Sequence, residues 1–200
     1  MPAEPSLRIT IDGELVAVLH AADLGALGPR DSRADFHCVT TWSTRGLTWT
    51  GVPLREVFAS LGITKAPAPY LVVRGGDRGR AAFVWEDAIA EDVVLATHMG
   101  AARLDDRHGA PLRLVAPRQY GYKSVKHLVS LDFRATQPRT SSKEHLRARV
   151  ALEERHPKFP GSVLRLPYRM LIGPTAYLSE RSLQRHQAGL YSPPSSWPSS

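Results

Sequence analysis

Apolar and polar positions alternate strictly where the chain begins its first element. Leu7-Arg8-Ile9-Thr10-Ile11 has the period of two of a half-buried strand, and Asp12-Gly13 supplies a turn. Glu14–Leu19 predicts a second short strand after that turn. Ala21–Leu27 predicts a short helix ending at Gly28-Pro29. Asp35–Thr40 predicts a strand, with Phe36, Cys38 and Thr40 on one face and His37 and Val39 on the other. Pro53 then starts a helix over Leu54–Leu61, and Gly62 stops it. Strands are predicted at Tyr70–Arg74 and Ala81–Trp85, separated by the turn-rich loop Gly75-Gly76-Asp77-Arg78-Gly79. Glu86–Glu91 predicts one or two helical turns, and further strands follow at Val93–His98, Leu112–Ala116 and Val125–Phe133. Short strands, short helices and frequent Gly/Pro punctuation together predict a mixed α+β domain ending near Phe133.

The remainder reads differently. We expect one domain over residues 1–135, a basic C-terminal extension over 136–191 and a disordered Ser/Pro-rich tail over 192–200. Ser141-Ser142-Lys143-Glu144 offers a capping box for a helix running to about Arg155, which Pro157 and Pro160 close off. No internal repeat is visible. A chain of 200 residues, 42% hydrophobic, is long enough for one real core with material left over.

Charge sharpens that division. Residues 1–135 carry 16 Lys/Arg against 15 Asp/Glu, and residues 136–200 carry 10 against 4. Almost all of the +7 net charge therefore lies in the last third. Such a tail can meet an acidic protein, an acidic membrane surface or nucleic acid, or can simply be solvated. No nucleic-acid motif and no regular interleaving of basic and aromatic residues accompanies it, so nucleic acid is not the expected partner. No stretch approaches the ~20 apolar residues of a membrane span. The first residues show no basic-then-apolar signal and no twin arginine. A cytoplasmic location is expected, or a periplasmic one if a signal has been removed.

Cys38 is the only cysteine. It can form no internal disulfide and no multi-cysteine metal cage. It is either a buried small hydrophobe or a single-point ligand or nucleophile. The eight histidines show no metal-site spacing. No base is placed by sequence to activate Cys38 as a nucleophile.

The context of Cys38 is specific: Asp35-Phe36-His37-Cys38-Val39-Thr40-Thr41-Trp42-Ser43, then Trp49 and Gly51-Val52-Pro53-Leu54. A second run reads His108-Gly109-Ala110-Pro111-Leu112-Arg113-Leu114-Val115, followed by Pro117 and Tyr120-Gly121-Tyr122-Lys123-Ser124-Val125-Lys126. Together these resemble the sulfite oxidase family of molybdopterin-dependent oxidoreductases, in its bacterial branch, over roughly residues 7–135. The resemblance implies the mixed-sheet molybdopterin-binding fold of that family, here with a basic helical tail. It implies that Cys38 binds molybdenum, a role that suits a soft thiolate. It implies that Asp77, His108, Arg113, Gly121, Lys123 and Lys126 hold the molybdopterin, whose phosphate wants Arg or Lys donors and close backbone approach. Arg45, Arg74 and Arg118 are candidate cations for an oxyanion substrate. The family's common Met-Asn-Gly appears here as His98-Met99-Gly100-Ala101, without its asparagine.

The activity so implied is transfer of an oxygen atom to or from a small sulfur or nitrogen oxide, with electrons exchanged with a separate protein. A second reading is a cofactor-free binding module of the same fold that uses its basic tail. A third is a lone reactive-cysteine enzyme.

Overall fold

The computed structural model describes residues 6–38, 43–136 and Met170. Two sheets pack face to face. The first has the strand order β2 (Glu14–His20), β1 (Ser6–Ile11), β10 (Leu128–Arg134), β5 (Tyr70–Gly75), β6 (Arg80–Val84). Only the β1–β10 pairing is parallel. The second has the order β3 (Arg30–His37), β4 (Ser43–Pro53), β7 (Val94–Met99), β8 (Ala102–Arg103), and β9 (Arg113–Val115) also pairs with β7. Among the described residues there are also three short α-helices: α1 (Ala21–Ala26), α2 (Leu54–Ser60) and α3 (Trp85–Ala88).

Period-two alternation decides what lies between the sheets. On β1, Leu7 and Ile9 are buried while Arg8 and Thr10 face the other way, and Leu131 and Phe133 repeat the pattern on β10. Val52, Leu95 and Leu114 come from the second sheet. Helix α2 adds Leu54, Val57 and Phe58. Phe58 stacks on Trp85 at 5.6 Å and meets Phe133 at 5.2 Å, which ties both short helices to the first sheet. A smaller apolar cluster lies on the outer face of the second sheet: Trp49, Val94, Ala96, Leu104 and Val115.

The expected α+β character is present, and most predicted elements form. Three differ in a way that matters. Strand β3 starts at Arg30 and ends at His37, so Cys38 follows the strand instead of lying inside it. The eleven-residue β4 was not expected, because Ser43-Thr44-Arg45-Gly46 carries little apolar signal. It forms because it lies between β3 and β7 and pairs with both. The last strand begins at Leu128, not Val125, since Gly121–Lys123 forms a single 3₁₀ turn first. The predicted helix over 141–155 and the Ser/Pro-rich end lie outside the described residues. No helix among the described residues is long and apolar enough to cross a membrane.

Candidate cofactor site

Strand β9 is three residues long and alternates. Leu114 points into the inter-sheet core, so Arg113 must point to the outer face. There it is 4% exposed. Its guanidinium lies 4.9 Å from the centre of the Trp49 ring on β4 and 5.9 Å from that of Phe36 on β3. Nη1 donates to the His108 carbonyl at 2.9 Å and Nη2 to the Ser124 carbonyl at 3.2 Å. These two carbonyls belong to the two motif segments, so one side chain joins them. Nε is buried and has no hydrogen-bond partner among the described residues. Burial pushes the guanidinium down to about 10, partly offset by the negative charge of Asp77, and it stays charged at neutral pH.

The second cation is Lys126. Its Nζ donates to the Arg107 carbonyl. Burial lowers its affinity for a proton, and the positive charge of Arg113 lowers it further, while Asp77 and Asp105 act in the opposite direction. Gly109 makes this packing possible. Its φ is +96°, and a Cβ there would lie 2.7 Å from the Lys126 Cβ and 2.9 Å from its Cα. Gly121 is constrained from the other side, since a Cβ would lie 2.3 Å from Cζ of Phe36. The end of strand β3 and the Gly121 turn are therefore packed directly together: the His37 carbonyl oxygen is also within 3.4 Å of that Cβ position.

His108 ends a 3₁₀ turn capped by Asp105. The Asp105 carboxylate accepts from the His108 backbone N–H at 2.8 Å and from Nδ1 at 2.6 Å. A carboxylate has only lone pairs to offer, so Nδ1 carries the proton. The backbone bond, followed by the ring contacts, holds the Asp105 carboxyl below its ordinary range. Asp77 is exposed and its Oδ1 accepts from Gly79 N at 2.9 Å, which closes its own loop. Gly76 N donates to the His127 carbonyl and His127 N to the Gly109 carbonyl. The Asp77 loop, the His108 run and the Lys126 run thus meet. Lys123 Nζ lies 5.0 Å from the centre of the Phe83 ring.

The structure accordingly brings together Asp77, His108, Arg113, Gly121 and Lys126, with Lys123 beside them and half-buried Cys38 at the end of the strand that carries Phe36. The three candidate substrate cations are placed differently. Arg118 is ion-paired with Asp92 at 3.4 Å. Arg74 lies 3.9 Å from Asp132 on the first sheet. Arg45 is exposed on β4 at the register shift opposite Asp35, near the Cys38 end of the hairpin. Sequence reasoning missed Phe36, Trp49, Ser124 and Asp105 as parts of the site. Trp49 could have been found only by recognising β4 as a strand, and Asp105 by its position three residues before His108.

These residues suit a phosphate-bearing pterin. Both cations are partly desolvated, and the charge of Arg113 further depresses Lys126, a condition that an anion relieves. The buried Nε of Arg113 lacks an acceptor among the described residues. Among the described residues no group of three or more His, Cys, Asp and Glu is placed to hold a metal ion.

A family model described as an oxidoreductase molybdopterin binding domain matches residues 2–142. The chain is 32% identical over 116 residues to the uncharacterized oxidoreductase YuiH of Bacillus subtilis, covering 58% of each chain. It is 34% identical over 120 residues to the protein-methionine-sulfoxide reductase catalytic subunit MsrP of Xanthomonas axonopodis, covering 52% of this chain and 36% of that protein. The sulfane dehydrogenase SoxCD from Paracoccus pantotrophus shares the fold, with a TM-score of 0.55 and 22% identity over 66% of this chain and 38% of that one. The chain thus spans between about a third and three fifths of the length of these relatives.

Proposed function

Because this chain belongs to the family of oxidoreductases with a molybdopterin-binding domain, we propose that it moves one oxygen atom to or from a small sulfur or nitrogen oxide and exchanges electrons with a separate protein. The observation that carries this reading is the buried Arg113, held by carbonyls of both motif segments beside Lys126. A cation is costly to bury and is retained where an anion must be gripped. The relative MsrP is named for a sulfoxide and the protein of like fold, SoxCD, for a sulfane, which favours a sulfur substrate.

The roles we assign follow from each side chain's chemistry. Cys38 offers the single soft thiolate ligand for molybdenum. Arg113 and Lys126 grip the phosphate. His108, its Nδ1 held by Asp105, presents Nε2 to the pterin. The bare Gly121 makes room for the Phe36 ring at the end of β3, so its expected part as a close backbone approach to the pterin gives way to a packing one, and Lys123 and Asp77 supply a donor and an acceptor at the edge. The molybdenum-pterin group, when bound, supplies the two-electron chemistry, and the protein supplies orientation and charge. Among the candidate substrate cations, Arg45 has the position best suited to an incoming oxyanion, being exposed at the Cys38 end of β3–β4. Arg118 serves Asp92 instead, and we assign it a structural part. The basic residues 136–200 suit docking of an acidic redox partner.

Elemental analysis of purified protein tests the reading. The wild type is expected to carry about one molybdenum per chain, and Cys38→Ser to lose most of the metal while keeping the pterin, seen by fluorescence after release. A wild type made in a host that supplies the cofactor, yet free of both metal and pterin, sinks the proposal and returns the cofactor-free module to first place.

A further inference from the structure

On the opposite side of the second sheet from Arg113 lies a separate cavity of about 230 Å³. Alternation on β9 separates the two: Arg113 and Val115 face outward, while Leu112 lines the cavity. Its apolar wall includes Leu7, Leu24, Val52, Leu95, Leu112 and Leu128, all of them buried. Its polar end is formed by Thr97, His98 and Arg103.

That polar end has a local cause. Thr50 pairs with His98 and Gly51 with Ala96, so Thr97 is an extra residue on β7. A regular strand would send Thr97 and His98 to opposite faces. The bulge turns both consecutive side chains onto the cavity wall, where Thr97 Oγ1 and His98 Nδ1 lie 2.9 Å apart. Arg103 reaches the same place from β8, where it pairs with His98 across the strand. Arg103 is exposed and has no acidic partner among the described residues. A cation, a hydroxyl (which also lies 3.5 Å from the Thr50 carbonyl) and an imidazole therefore converge on a chamber whose other lining is mostly apolar, Ser6 being the exception.

We propose that this cavity is a binding site for a short-chain aliphatic monocarboxylate, its hydrocarbon among the buried leucines and its carboxylate on Arg103 with Thr97 and His98. Size supports the class. An apolar cavity of about 150 Å³ accepts benzene, so one half as large again holds roughly nine non-hydrogen atoms. Charge supports it as well: the carboxylate matches an arginine fork that no acidic group among the described residues occupies. A cavity with one polar end orients such a ligand in a single direction.

Gly25 provides the means to test it. It lines the cavity from α1, and a Cβ built there meets nothing within 4 Å. Gly25→Leu therefore places a bulky apolar side chain at the edge of the cavity without a clash near the backbone, and it replaces a poor helix former. Hexanoate is titrated into the full-length holoprotein by calorimetry, with 1-hexanol as the uncharged control. Saturable one-to-one binding of hexanoate is expected, at least five-fold tighter than 1-hexanol. Arg103→Gln should weaken it by a similar factor, and Gly25→Leu should abolish it with the circular dichroism spectrum unchanged. Arg103 is exposed, so its variant remains informative if Gly25→Leu fails to fold. The inference is overturned by absence of saturation, by equal affinity for 1-hexanol, or by hexanoate binding that survives both substitutions. Binding is the only readout, so the result is independent of the molybdopterin assignment.

Discussion

The two faces of β9 and its neighbours are made from the same few residues and work by opposite means. The inner face, with Leu114 and Leu95, joins an apolar cluster of more than twenty buried side chains. Each contact there is small, non-directional and replaceable by its neighbours. The outer face depends on one guanidinium between two aromatic rings, with its donors assigned to particular carbonyls. The inner face therefore carries stability and tolerates graded change. The outer face contributes little net stability, because burying the charge costs about what its contacts return, and it supplies charge at a defined place.

Substitutions can separate the two. Leu114→Ala should have the largest effect on folding, about 2–5 kcal/mol in denaturant unfolding. The protein that remains folded should bind inorganic phosphate as tightly as the wild type. Gly109→Ala comes next, at about 1–3 kcal/mol, because a left-handed φ and contact with the Lys126 backbone are both violated. It should weaken phosphate too, since Lys126 must shift. Arg113→Met should change stability by only about 1 kcal/mol, as relief of the buried charge offsets two carbonyls left without a donor. Phosphate affinity of cofactor-depleted protein should nevertheless fall at least ten-fold. If Arg113→Met instead unfolds the domain while keeping phosphate affinity, the division between the faces is wrong.

The smallest effect is expected from Asp105→Asn, and it is one of pH. The Asp105 carboxyl is held below its ordinary range in the folded chain, mainly by the His108 backbone N–H. Its contribution to stability is thus present above the unfolded value of about 4 and is lost as pH falls through the lower folded value. The variant should show a flatter loss of Tm as pH falls below about 4. At neutral pH it should alter the nitrogen shifts of His108, because an asparagine can accept or donate and no longer dictates which ring nitrogen carries the proton.

Local order was legible in the sequence alone. The alternation in Leu7–Ile11 and Tyr70–Arg74, the turn at Asp12-Gly13 and the Pro53-to-Gly62 bounds of α2 are short-range signals, and each is found where expected. The two motif runs were also visible as runs. What could not be read was β4, whose Ser/Thr/Gly-rich first half is a strand only because β3 and β7 flank it. Without β4 there was no reason to put Trp49 beneath Arg113.

The chain's own order of residues determined one soft sulfur, a set of basic side chains in two segments and the strands that carry them, because alternation and turn chemistry act over a few neighbouring positions. Tertiary structure alone decided which of those cations became a site. Arg113 is buried by rings from two other strands, Arg118 is taken by Asp92, and His98 is turned by a bulge toward a second cavity. Burial and charge pairing depend on groups distant in sequence, and neither is specified until the two sheets close on each other.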